Sequence, residues 1–93
     1  MSVCFLNSEY VLLSEAKVSV LDRGFIFGDA VYEVLPAFEG KFFALAQHLE
    51  RLNDNLKKVS IDPPYSSKEW GTLLATLSEK NGNSDLSFYI QVT

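Results

Sequence analysis

An α+β fold, in which a small antiparallel sheet carries two amphipathic helices, is what the apolar patterning of this chain predicts. Three observations carry that expectation. Short apolar or alternating segments rich in strand-forming residues occupy the first half of the chain and its final stretch. At Leu45 the apolar period changes from two to about three and a half, the repeat of a helix with one buried stripe. A second helical segment comes after it, with its own start and stop signals.

In chain order, Ser2–Leu6 and Tyr10–Leu13 predict a hairpin around Asn7, Ser8 and Glu9, where polar side chains bond to their own backbone. Lys17–Leu21 alternates and predicts a third strand. Asp22–Asp29 breaks the pattern with Gly24 and Gly28 around Phe25 and Phe27, which predicts a shaped loop. It has no third glycine and leads into a strand, so it is not the dinucleotide-binding fingerprint. Ala30–Phe38 predicts a strand with Tyr32, Val34, Pro36 and Phe38 on one face and Val31, Glu33, Leu35 and Ala37 on the other. Pro36 is expected to force an edge position or a bulge. Glu39–Lys41 turns the chain into Phe42–Leu45.

A helix is predicted over 44–59, with Leu45, Leu49, Leu52, Leu56 and Val59 on one stripe. Each buried side chain stabilises by ~1.5–3 kcal/mol before the entropy of ordering, so the stripe must lie on the sheet. After Pro63 and Pro64, Ser66 with Glu69 reads as a capping box. Trp70, Leu73, Leu74 and Leu77 then recur at helical spacing, and Asn81–Gly82 ends the helix. Asp85–Thr93 predicts a closing strand whose abrupt end is expected of a sequence that runs on.

Composition narrows the function. A chain of 93 residues makes one small domain that buries only roughly 60–65% of its unfolded surface, so a second layer or a partner would help it. The net charge is −4 and the eight Lys and Arg are scattered, which argues against a nucleic-acid surface. Cys4 is the sole cysteine; it cannot form an internal disulfide and is expected to pack as a small hydrophobe in a reducing cytoplasm. There is no basic, apolar leader and no run of ~20 apolar residues, so neither export nor membrane insertion is expected.

Candidate chemistry centres on the first long helix. His48, Arg51 and Asn55 stand at i, i+3 and i+7, along one flank of the leucine stripe. The planar donors of Arg51 suit a phosphate or carboxylate; pairing with Glu50, Asp54 or a sheet carboxylate is the alternative that spacing leaves open. With one histidine in the chain, no metal site is expected. Tyr32 and Val34 share a strand face, which lines either a pocket or a helix-covered sheet. Asp29 and Glu33 are not shown by spacing to approach each other as an acid and base pair.

Taken together, Asp22-Arg23-Gly24, Phe27-Gly28-Asp29, Val31-Tyr32-Glu33-Val34, Gly40, His48, Arg51-Leu52 and the later Asp62–Tyr65 and Phe88–Thr93 form an ordered series. That series resembles the N-terminal domain of the fold-type IV pyridoxal-phosphate enzymes, and within them the D-amino-acid (D-alanine) aminotransferase branch. The resemblance covers nearly the whole chain. It implies that Arg51 binds the phosphate of pyridoxal 5'-phosphate, that Tyr32 and Val34 line the substrate site, and that His48 supports the phosphate site. Ala30 stands where many relatives have glycine, a departure that removes no functional group.

The same resemblance implies a two-domain enzyme of which residues 1–93 form the small N-terminal domain. The larger cofactor-binding domain, with the lysine that carries the cofactor, is expected outside this chain. None of Lys17, Lys41, Lys57, Lys58, Lys68 and Lys80 matches that lysine, so the chain alone is expected to be inactive, with no catalytic residue of its own. The implied substrates are D-amino acids and 2-oxo acids, D-alanine and 2-oxoglutarate in particular, in a cytoplasmic homodimer. An exposed apolar patch is expected where the second domain and the partner dock. An aminodeoxychorismate lyase, a branched-chain aminotransferase and a non-catalytic binding module are the alternatives.

Overall fold

The computed structural model describes Ser2–Thr93. Strands β1 (Val3–Leu6) and β2 (Glu9–Leu12) pair antiparallel as the expected hairpin. A turn of 3₁₀ helix at Leu13–Glu15 and an irregular stretch lead to a short helix α1 (Arg23–Ile26). Strand β3 (Val31–Phe38), strand β4 (Lys41–Phe42), helix α2 (Leu45–Lys58), helix α3 (Ser67–Lys80) and strand β5 (Leu86–Val92) complete the chain. β3 is central in a three-stranded antiparallel sheet of order β4-β3-β5.

The core lies between one face of that sheet and the two long helices. Val31, Leu35 and Ala37 of β3, with Phe88 and Ile90 of β5, meet Leu49, Leu52 and Leu56 of α2 and Trp70 and Leu74 of α3. The leucine spacing on α2 explains the packing, because a stripe at i, i+3 and i+7 presents one continuous apolar edge to a sheet. Val59, expected on that stripe, is instead the residue that caps α2 at its end, and is exposed. The capping box is present in full: Ser66 Oγ accepts from the Glu69 N–H, and the Glu69 carboxylate accepts from the Ser66 N–H.

The β3–β4 turn places Glu39 and Gly40 at φ of +51° and +80°, the left-handed pair that a two-residue hairpin demands. Glycine is required at position 40 for a second reason, since a Cβ there would lie 2.9 Å from Asn83 Oδ1. The β1 edge is held by a side chain: Asn81 Oδ1 accepts from the Val3 N–H while Asn81 Nδ2 donates to the Val3 carbonyl, both at 2.9 Å. One amide thus stands in for a neighbouring strand.

Three expectations are corrected. Lys17–Leu21 is not a strand; it has no partner among the described residues, and Val18, Val20 and Leu21 are exposed. Asp22–Asp29 is more ordered than a loop, because Asp22 Oδ1 accepts from the Gly24 N–H and nucleates α1. Pro36 sits in the central strand, in unbroken register from Val31↔Val92 to Ala37↔Leu86. Its carbonyl accepts from the Phe43 N–H, so its missing N–H also faces the β4 side, just where that two-residue strand ends. Cys4 is half-buried and free.

Candidate active site

Strand alternation divides β3 into two chemistries. On the helix-covered face, between Val31 and Leu35, stands Glu33, whose side chain is 4% exposed. An isolated carboxylate there would be costly, and the flank of α2 answers it. Arg51 Nε donates to Glu33 Oε2 at 2.7 Å and Arg51 Nη2 donates to Oε1 at 2.8 Å, a two-pronged pair. His48 Nδ1 donates to the same Oε1 at 2.6 Å, which puts the ring proton on Nδ1. Arg51 lowers the Glu33 pKa below the ordinary carboxylate value; burial opposes the shift and His48 adds to it. Glu33 in turn raises the Arg51 pKa above its usual value.

Arg51 is nonetheless mostly open to solvent, its side chain 62% exposed. Two of its five N–H groups point at Glu33, and among the described residues Nη1 has no hydrogen-bond partner. A cation with one edge pinned and the other open is suited to an oxyanion, so the residues present fit the phosphate end of a cofactor.

The opposite face of β3 carries Tyr32 and Val34, with Tyr89 and Gln91 beside them on β5. No helix of the described residues covers it. Tyr32 is 62% and Val34 47% exposed, and the Tyr32 and Tyr89 rings stack with centroids 5.8 Å apart. The Tyr89 hydroxyl donates to Gln91 Oε1 at 2.6 Å, which holds that ring in place.

Arg51 and His48 are therefore brought together, while Tyr32 and Val34 lie across the sheet from them. The margin of β3 joins the two groups. β4 pairs only with Ala37 and Phe38, so the β3 edge from Val31 to Leu35 carries no strand on that side among the described residues. By alternation from the Pro36 carbonyl, the peptide groups of Tyr32 and Val34 face this bare edge.

Asp29 and Glu33 do not form a pair. Asp29 Oδ2 accepts from Nε and Nη2 of Arg23 at 3.0 and 2.7 Å, on the surface. Glu33 is the residue that sequence reasoning leaves without a role. The signal for it is a carboxylate in phase with Val31, Leu35 and Ala37, together with two cationic or hydrogen-bonding side chains on one helix flank. A groove of about 340 Å³ between β1, α3 and β5, lined by residues such as Phe5, Trp70, Leu77 and Ile90, holds no charged side chain and so lacks an anchor for an anion. All six lysines are exposed, and no cluster of three or more His, Cys, Asp or Glu suited to a metal occurs among the described residues. No helix of the described residues is long and apolar enough to cross a membrane.

The chain is 40% identical over 93 residues to the D-alanine aminotransferase of Staphylococcus aureus strain N315, covering all of this chain and 33% of that protein. It is 39% identical over 88 residues to the D-alanine aminotransferase of Listeria monocytogenes serotype 4b, strain F2365, covering 95% of this chain and 30% of that protein. It thus spans about a third of the length of these relatives. In structure it is similar to the T.th. branched-chain amino acid aminotransferase complexed with N-(5'-phosphopyridoxyl)-L-glutamate. The TM-score is 0.87 at 23% identity, over 97% of this chain and 32% of that one, a likeness of fold. The branched-chain aminotransferase of Thermoproteus uzoniensis gives 0.81 at 29% identity, over 97% of this chain and 31% of that one. The family profile described as amino-transferase class IV matches residues 30–93, a span that contains β3, Glu33, His48, Arg51 and every element after them. This chain belongs to the class IV aminotransferases.

Proposed function

We propose that the chain is the small N-terminal domain of a longer D-amino-acid aminotransferase, which moves an amino group between D-alanine and 2-oxoglutarate through pyridoxal phosphate. The observation that carries this reading is the half-pinned Arg51 guanidinium, whose open edge matches a phosphate, on the flank of a strand whose other face is bared. The identity to D-alanine aminotransferases over 95–100% of the chain supports the choice of branch.

In this reading Arg51 holds the cofactor phosphate and His48 supports it through the shared carboxylate of Glu33. Tyr32 offers its hydroxyl to the substrate carboxylate, and Val34 supplies an apolar wall beside it. When bound, pyridoxal phosphate supplies an electron sink for charge at the substrate α-carbon. The proton transfer at that carbon belongs to a lysine outside this chain, since none of the six lysines here matches the family's cofactor lysine. The open face of β3 and the run from Val18 to Phe27, with Leu21, Phe25 and Phe27 exposed, form apolar surface that a second domain and a partner subunit would cover. A cytoplasmic homodimer is part of the proposal.

The test is an assay on the full-length protein with pyridoxal phosphate, 2-oxoglutarate and either D-alanine or L-valine, measuring the 2-oxo acid formed from each donor, pyruvate from D-alanine and 3-methyl-2-oxobutanoate from L-valine. Pyruvate from D-alanine, lost in Arg51→Ala at limiting cofactor and restored at high cofactor, is the expected result. Turnover of L-valine without D-alanine would move the function to the branched-chain reading, which the solved structures of that class keep in play. Cofactor uptake with neither activity would favour the lyase.

A further inference from the structure

Glu33 occupies a slot that an apolar residue would fill more cheaply. Its neighbours on the covered face of β3 are Val31, Leu35 and Ala37, and it is the one buried charged side chain among the described residues. Buried ion pairs seldom add stability over a well-packed hydrophobe. The pair with Arg51 is also lopsided, with the carboxylate enclosed and the guanidinium mostly in solvent. Fastening α2 to the sheet uses only the Nε–Nη2 edge of the guanidinium and leaves its other donors unused.

The geometry points to Glu33 as a positioning residue for the cofactor site: its two oxygens grip the Nε–Nη2 edge of Arg51 and hold the Nη1 edge outward to receive the phosphate. Glu33 itself touches no ligand. His48, donating to the same Oε1 at 2.6 Å from a side chain only 18% exposed, adds a third hydrogen bond to the carboxylate, so the grip does not depend on a mobile surface chain. The arrangement is the supporting layer of hydrogen bonds that a preorganised anion site needs, since an untethered arginine must be ordered each time it binds. This inference rests on Arg51 as the phosphate anchor.

Electrostatics alone makes the opposite prediction, which renders the idea testable. Removing a negative charge next to Arg51 leaves the site more positive and, on Coulomb's law, should tighten a phosphate. If positioning dominates, the same change should weaken it. Full-length apoprotein is titrated with pyridoxal phosphate and, separately, with pyridoxal, which lacks the phosphate, and binding is read by absorbance. The variants are Glu33→Gln, nearly isosteric and uncharged, Glu33→Asp, which keeps the charge but withdraws it by one methylene, and Arg51→Ala.

The expected result is that Glu33→Gln and Glu33→Asp each weaken pyridoxal phosphate by about tenfold, the scale of a misplaced supporting contact, with pyridoxal unchanged. Unchanged or tighter binding of pyridoxal phosphate by Glu33→Gln, with Glu33→Asp like the parent, would show a role of charge alone and overturn the inference. Equal weakening of both ligands would mean general damage to the fold and would overturn it too. If Glu33→Gln does not fold, Glu33→Asp decides the matter by the same criterion. Arg51→Ala separates the two levels: if it leaves the preference for pyridoxal phosphate over pyridoxal intact, the phosphate reading itself fails.

Discussion

The two faces of β3 share one backbone and alternate residue by residue, yet they meet opposite fates. Leu35 and Ala37 have no exposed surface, whereas Tyr32 and Phe38 are more than half open. The difference comes from the helices: α2 and α3 fold back over the first face, and nothing among the described residues returns over the second. Burial on one side supplies the stability, and the other side is left exposed. Glu33 is the exception, a polar group on the stabilising face, and it joins the partner that faces outward.

Substitution in the helix layer that covers the first face should have the largest effect. Leu52→Ala, at a fully buried site, is expected to cost about 2–5 kcal/mol in urea unfolding. A loss below about 1 kcal/mol, the scale of an ordinary point substitution, would mean that the helix layer is not the main source of stability.

Acid comes next. Because the folded-state pKa of Glu33 is lowered by Arg51 and His48, the two groups that face it from α2, folding favours its ionised form. That contribution is complete above the ordinary value of about 4.5, and it is lost as pH falls through the lower folded value. Glu33→Gln should therefore flatten the fall of Tm below that pH while leaving the neutral range without this slope. A residual acid slope is expected from Glu69, whose carboxyl is also lowered, through its hydrogen bonds with Ser66.

Ser66→Ala removes the acceptor for the Glu69 N–H and should cost about 1 kcal/mol, read by the same unfolding curve. Smallest of all in stability is Tyr32→Ala on the open face, expected within ~0.5 kcal/mol. The full-length enzyme carrying it should show a raised KM for the amino donor. A cost matching Leu52→Ala would erase the contrast between the faces.

Most of this architecture is legible in the sequence because it obeys local rules. The face assignment of Val31–Phe38, the leucine stripe of α2, and the Ser66–Glu69 box each depend on residues within one element. Sequence reasoning fails where a partner decides the outcome. Lys17–Leu21 alternates like a strand, but alternation cannot reveal that no strand of the described residues lies beside it. Pro36 reads as an edge signal, and only the shortness of β4 lets a central strand accept it. The site is half legible in the same sense: Arg51 stands out by its helix flank, and a sheet carboxylate is one of the partners its spacing leaves open. That the carboxylate is Glu33, fifteen and eighteen residues from His48 and Arg51, depends on how α2 crosses the sheet.

The amide that stands in for a strand beside Val3 also sets how the chain ages. Asn81 precedes Gly82, a pairing in which the glycine N–H can attack the side-chain amide, with ammonia leaving and water then opening the ring. In the folded chain that N–H is bonded to the Glu79 carbonyl, and the Asn81 amide is held by Val3 and Leu77, so neither reactant is free to move. The lesion needs prior opening of the α3 terminus. Once formed, it replaces the Nδ2 donor by a carboxylate oxygen facing the Val3 carbonyl, loosens the hold on β1, and leaves an old molecule distinguishable from a new one by its charge.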